Sequence, residues 1–211
     1  MIQAWLRRAA WLGCCVLLGC GGLLGCGTSP PTRFYILNDI ASPAAAPAPV
    51  PAPAPGSVAT APTPLAVQVG RVAIAPELDR PELVTRSGPN RVRVADFERW
   101  AAPLGEQIRR VLAADLASRL APGLIVPADE PAGGEPRRTL SIAIDEFYGD
   151  DSCAVSLRAG WSLTRPNAAS LHGSEQLQIP GRASCGEQLP AAMSQALAAL
   201  ADRLAQVIVA D

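Results

Sequence analysis

Residues 41–64 are almost wholly alanine, proline, valine, serine and threonine. Such a run lacks the apolar bulk to pack and favours extended polyproline geometry. It bounds what can fold, because the body must be built from 65–211, with only 26–40 left on the other side. Within that short piece, Thr32-Arg33-Phe34-Tyr35-Ile36-Leu37 reads as a strand carrying two of the chain's few aromatics. A strand beyond the Ala/Pro run makes the run an insertion inside a domain. It reads as a spacer; the alternative is a ligand for a Pro-reading partner. The full length of 211 residues suits one ordinary domain.

Residues 1–25 read as an address. Arg7 and Arg8 precede an uncharged run, 9–25, that is short for a span of about 20 residues. A polar, Pro-containing stretch follows at once, the pattern of a removed export signal. Leu23-Leu24-Gly25-Cys26 resembles the lipobox of bacterial lipoproteins. That resemblance implies cleavage before Cys26 and lipid on its thiol and new amino group. Small Gly25 admits the peptidase, and only a cysteine supplies the thioether. Leu17-Leu18-Gly19-Cys20 is a second match; Cys26 is preferred because it leaves a fuller apolar region and a polar mature end. The alternative is an uncleaved membrane helix with incidental cysteines. Gly27 at the next position, rather than Asp, implies sorting to the outer membrane. The leader holds two arginines and no acid, so its loss makes a mildly acidic chain more acidic. Membrane attachment is then expected through lipid rather than charge.

From 65 onward the periodicity defines elements. Val67 and Val69 alternate, then Val72 and Ile74 one step out of phase, which predicts a β-bulge at Gly70-Arg71. Residues 82–86 and 91–94, around Ser87-Gly88-Pro89-Asn90, predict a hairpin. Asp96 is read as capping a short segment, 97–100. Pro103 opens a helix to about 120, with a stripe of Leu104, Ile108, Val111, Leu112, Leu116 and Leu120, and Arg109, Arg110 and Arg119 elsewhere. A short strand and three longer ones follow, then a final helix from about 189 burying Met193, Leu197, Leu200 and Leu204. The order predicts an α+β fold: a mostly antiparallel sheet, two main helices on one face, and an order that admits an internal β-β-β-α repeat.

Composition excludes several functions. Eighteen basic residues, all arginine, against 19 acidic ones leave no excess for a general nucleic-acid binder. His172 is the sole histidine, which removes multi-His metal sites. There is no Gly-rich phosphate loop, nucleophile elbow, HExxH or CxxC. Asp145, Glu146, Asp150 and Asp151 flank Tyr148, but in a turn composition that reads as a solvated hairpin tip rather than a Ca²⁺ or acid/base site. No catalytic residue, metal or cofactor is therefore read.

The stretch at 69–86, which contains Leu78-Asp79-Arg80-Pro81-Glu82-Leu83-Val84-Thr85-Arg86, resembles the hallmark of the ABC-type transport auxiliary lipoproteins. The stretches 91–100 and 108–120, the start 29–37 and the strand 155–163 are similar to the same family. The Ala/Pro insertion is longer than the family leads one to expect, which bears on the tether. The resemblance implies a non-enzymatic lipoprotein of the outer membrane that faces the periplasm. It implies work with an MCE-domain protein, whose tube moves lipid between membranes, and assembly into a homo-oligomeric ring. The alternatives are a lipoprotein that carries lipid itself and a hydrolase of envelope material built on His172.

Two further expectations follow from the residues. Cys153 and Cys185 are the two cysteines of the exported body, and an oxidising periplasm favours a disulfide between them; two buried thiols that never meet are the alternative. Arg80, Arg86, Arg91, Arg93 and Arg99 crowd 78–100, stiffened by Pro81 and Pro89 and ending at Trp100. Arg80, Pro81, Arg86, Arg91, Arg93 and Trp100 are read as partner or self-assembly contacts. The plainer reading is a solvated hairpin with Trp100 plugging the core.

Overall fold

The computed structural model describes residues 29–41, 65–127, 137–181 and 188–211. Cys26, Cys185 and residues 42–64 lie outside them. In chain order the elements are β1 (Arg33–Tyr35), β2 (Val67–Ile74), β3 (Glu82–Arg86), β4 (Val92–Trp100), α1 (Leu104–Arg119), β5 (Ile125–Val126), β6 (Arg138–Asp150), β7 (Val155–Arg165), β8 (Ala168–Ile179) and α2 (Gln188–Ala210). Residues Thr32–Asp211 form one compact unit.

Period-two patterning makes the strands one-sided. Leu140, Ile142 and Ile144 of β6, and Val155, Leu157, Ala159 and Leu163 of β7, are buried, with more exposed residues between them. Both helices cover that buried face. α1 packs on β2 and β5, α2 on β6, β7 and β8, and the helices pack on each other. Leu104, Ile108, Val111, Leu112 and Leu116 from α1 and Met193, Leu197, Leu200, Leu204 and Ile208 from α2 fill the core. The fold is α+β, as the sequence leads one to expect.

The sheet itself is mixed rather than mostly antiparallel. β3·β4, β6·β7 and β7·β8 run antiparallel, whereas β1·β4, β2·β5, β2·β6 and β3·β6 run parallel. Alternation reveals a strand but not its distant neighbour. The chain leaves β2 and returns in β6 only after α1, a crossover that makes parallel pairing natural. β6 is the keel of the sheet. One edge pairs with β7, and the other is shared between β2 near its start and β3 at Gly149 and Asp150. The β-β-β-α order does recur, but the pairing does not, because β2 never pairs with β3.

Local details follow the residues. The register of β2 against β6 shifts between Val69 and Val72, where the bulge was expected. β4 runs unbroken through Asp96 to Trp100, so Asp96 lies in a strand and caps nothing. Its outer positions alternate weakly because this hairpin lies beyond the helices. Gly173 faces Trp161 across the β7·β8 pair, and an added Cβ would meet the indole at 2.5 Å.

Candidate functional site

Three of the six candidate contact residues meet at one cleft. A turn brings the chain into β3, with the Arg80 N–H donating to the Leu78 carbonyl at 2.9 Å and the Trp100 N–H to the Pro81 carbonyl at 2.7 Å. Arg80, Pro81 and Trp100 then line a cleft of about 350 Å³ with Asp79, Pro103 and Leu104. Trp100 is not an exposed anchor. It is only 5% exposed and belongs to the core with Leu104.

The hairpin arginines are already engaged inside the molecule. Arg80 and Arg99 both meet Glu82, at 3.2 and 3.7 Å. Arg86 meets Glu146 at 3.6 Å and stacks over the Tyr148 ring at 4.8 Å. Arg93 pairs with Asp151, tying the hairpin to the β6–β7 turn. Arg91 bonds the Ser87 hydroxyl and carbonyl. The Tyr148 hydroxyl donates to Glu77 at 2.9 Å, and burial together with that carboxylate pushes its pKa up to about 12. Exposed pairs of this kind contribute about 0–1 kcal/mol each, so a partner's carboxylate can replace the internal one cheaply.

A second arrangement was not anticipated. The segment after β1 is bolted across both helices by buried polar side chains. The Leu37 N–H donates to Gln107 Oε1 at 2.9 Å, the Asn38 N–H to Ser194 Oγ at 3.1 Å, and the Ile40 N–H to Asp115 Oδ1 at 2.7 Å. Arg119 donates to the Ile40 carbonyl at 3.1 Å and pairs with Asp115 and Asp202 at 3.5 and 2.5 Å. Its side chain is only 6% exposed, so it does not lie on the outer face as the helix pattern implied. The segment has no strand neighbour to satisfy its N–H groups, and the helices supply the acceptors instead. The available signal was polar residues at stripe positions: Gln107 and Asp115 stand one residue before Ile108 and Leu116 on the same face.

Asp115 is fully buried, and its Oδ2 has no partner. Burial raises its pKa from 3.8 to about 6, against the opposing pull of the Ile40 N–H and the Arg119 charge. The folded state therefore favours the protonated acid. This group's contribution to stability is fully present at low pH and is lost as pH rises from about 4 to about 6. In urea titrations across that window, Asp115→Asn is expected to flatten the slope that the parent shows. An unchanged slope would mean that Asp115 does not titrate there.

A groove opens beside the bolted segment. The outer side of α1, with Ala113, Ala114 and Ala117, forms its floor, and Ile36, Ile125 and Pro127 form its walls; its volume is about 590 Å³. Arg109 and Arg110 stand at its edge. Arg109 meets Glu106 at 3.0 Å, and Arg110 reaches the Leu37 carbonyl at 3.4 Å.

Elsewhere, Asp150 accepts bonds from Ser152 and Ala154 and closes the β6–β7 turn, and His172 is exposed on β8. Cys153 is not in a strand. It sits in the turn before β7 with φ 61°, yet is buried and disulfide-bonded. Among the described residues, no group of histidine, cysteine or carboxylate side chains is arranged to hold a metal, and no helix is long and apolar enough to cross a membrane.

A mixed sheet carrying two helices on one face is an architecture seen before. Residues 48–205 match the ABC-type transport auxiliary lipoprotein components, and the chain belongs to that family. Over 70 residues it is 36% identical to the intermembrane transport lipoprotein PqiC of Escherichia coli and to PqiC of Shigella flexneri. Those matches span 33% of this chain and 36% of each relative, about a third of their length. The fold is also that of an uncharacterised crystal structure, with TM-score 0.67 and 20% identity over 85% of this chain and 99% of that one. A Xanthomonas campestris protein shares it with TM-score 0.60 and 15% identity over 82% and 93%.

Proposed function

We propose that the chain is an accessory lipoprotein of an intermembrane lipid transport system, without enzymatic activity of its own. Acylated at Cys26, it stands on the periplasmic side of the outer membrane and docks an MCE-domain protein of the PqiB type, as a ring of identical copies. The observation that carries this reading is the bolted segment. It begins eleven residues after Cys26, so the domain is held close to its anchor while one flank remains free for a partner. On that flank, the cleft of Arg80 and Pro81, the half-buried Arg86 and the exposed Arg91 and Arg93 present guanidinium groups suited to carboxylates.

The test is cross-linking of the mature protein in its envelope, with mass spectrometry of Cys26. Arg80→Glu with Arg91→Glu is the variant of choice, because neither arginine packs in the core. An acylated Cys26 at the mature end and capture of an MCE protein are expected, with capture reduced about tenfold or more in the variant, as for like charges opposed across an interface. A mature end at Cys20 or an intact Met1 would remove the anchor site. A folded variant that binds and assembles like the parent would remove the contact surface. The groove on α1 favours a second reading, in which the domain also holds lipid itself.

A further inference from the structure

We infer that the α1 groove takes an acyl chain of an anionic phospholipid from the anchoring membrane, with Arg109 and Arg110 at its mouth on the phosphate; this rests on the reading that Cys26 is acylated. Position is the first argument. Seven residues separate Cys26 from Arg33. An extended chain of that length reaches about 25 Å at most, less than the thickness of a bilayer core. Because β1 pairs with β4 and 37–40 is bolted to the helices, this reach applies to the folded body and not to a free leader. The Ala/Pro run lies after the bolted segment, so it adds nothing to the reach.

Surface chemistry is the second argument. The first large apolar residues of the described chain after the anchor, Phe34 and Ile36, are 65% and 52% exposed. Ile36 is also a wall of the groove, so the exposed apolar edge of β1 runs directly into it. A floor of alanines at 113, 114 and 117 offers apolar surface without side-chain bulk, and about 590 Å³ lies within the ~300–1,000 Å³ usual for ligand sites.

Charge is the third. Among the described residues at the edge, Glu106 and Arg109 pair and Arg110 is exposed, which leaves one positive charge in excess. A guanidinium fork suits a phosphate diester. The rest of the exported chain is mildly acidic, so this positive mouth beside an apolar floor is a local feature.

The experiment uses the full lipoprotein reconstituted in phosphatidylglycerol vesicles whose acyl chains carry a diazirine. After irradiation, adducts are expected on the α1 peptide around 113–117 and beside Ile36. Ala114 and Ala117 are exposed, so Ala114→Glu with Ala117→Glu keeps the fold, as far-UV circular dichroism would register. That variant is expected to lose α1 adducts about tenfold or more, because a charge opposes the apolar chain. Arg109→Glu with Arg110→Glu is expected to lose the preference for phosphatidylglycerol over phosphatidylcholine vesicles. An unlabelled α1, equal labelling in the alanine variant, or α1 cross-linked to a second copy or to the lipid on Cys26 would overturn the inference. The mass of Cys26 is read in the same sample. A chain without acyl groups whose α1 still labels defeats the anchoring reading and leaves the groove; an acylated chain with α1 bare does the reverse.

Discussion

An Arg119→Ala variant is expected to be about 3–5 kcal/mol less stable than the parent at pH 7, the range for removing one member of a buried ion pair. The Arg119 side chain is only 6% exposed, and its guanidinium joins four groups on three pieces: Asp115 on its own helix, the Ile40 carbonyl of the bolted segment, and Asp202 and the Ala198 carbonyl of α2. Alanine removes all of these and leaves the fully buried Asp115 carboxylate without its counter-charge. The midpoint of thermal unfolding should fall by about 10 °C. The deficit should shrink at pH 5, where Asp115, with its pKa near 6, becomes neutral and no longer needs the cation. The double variant with Asp115→Asn should be less damaged than the separate effects added together, since the two groups share one network. A loss below about 1 kcal/mol would show that the bolt is an ordinary surface pair.

Cys153→Ser is expected to cost about 3–4 kcal/mol under oxidising conditions, on the reading that its partner is Cys185. The described residues bracket that partner. Four residues before it, Gly181 lies so close to the turn at Ser152 and Ala154 that an added Cβ would strike the Ser152 carbonyl. Four residues after it, Leu189 packs onto Gly149. The chain thus passes the mouth of the same turn on both sides of residue 185, and Cys153 is already buried there with its sulfur oxidised. A bridge here closes a loop of about 32 residues and fastens the start of α2 to the β6–β7 turn, which in the chain-entropy model gives the stated figure. A non-reducing peptide map should return one linked species containing both cysteines. Cys153 linked elsewhere, or the parent and the variant unfolding at the same urea concentration, would defeat the pairing.

What could be read from the residues was whatever repeats locally. The α1 stripe, the alternation of β7 and the phase slip at Gly70-Arg71 are each visible within a dozen residues, and each element stands where expected. Pairing was not legible, because β2 finds β6 some 70 positions away and nothing in either strand names the other. The arginines of the hairpin stood out by crowding, but their carboxylate partners Glu146 and Asp151 come from distant β6 and the turn after it. The polar bolt escaped notice for the opposite reason. Gln107, Asp115 and Ser194 are single polar residues on otherwise apolar helix faces, and only the unpaired backbone of 37–40 explains them.

The shared edge of β6 also sets a timetable. The sheet order places β1, β4 and β3 on one side of the β2–β5 pair, and β6 alone joins the two groups. A chain made from its amino end thus carries two unfinished sheet fragments until the strand ending at Asp150 has emerged. Contacts this remote in sequence form slowly. Any chain cut short before β6 owns most of the strands of the fold and no means of joining them. The domain therefore has no working half-length form, and its cooperative assembly waits on one late strand.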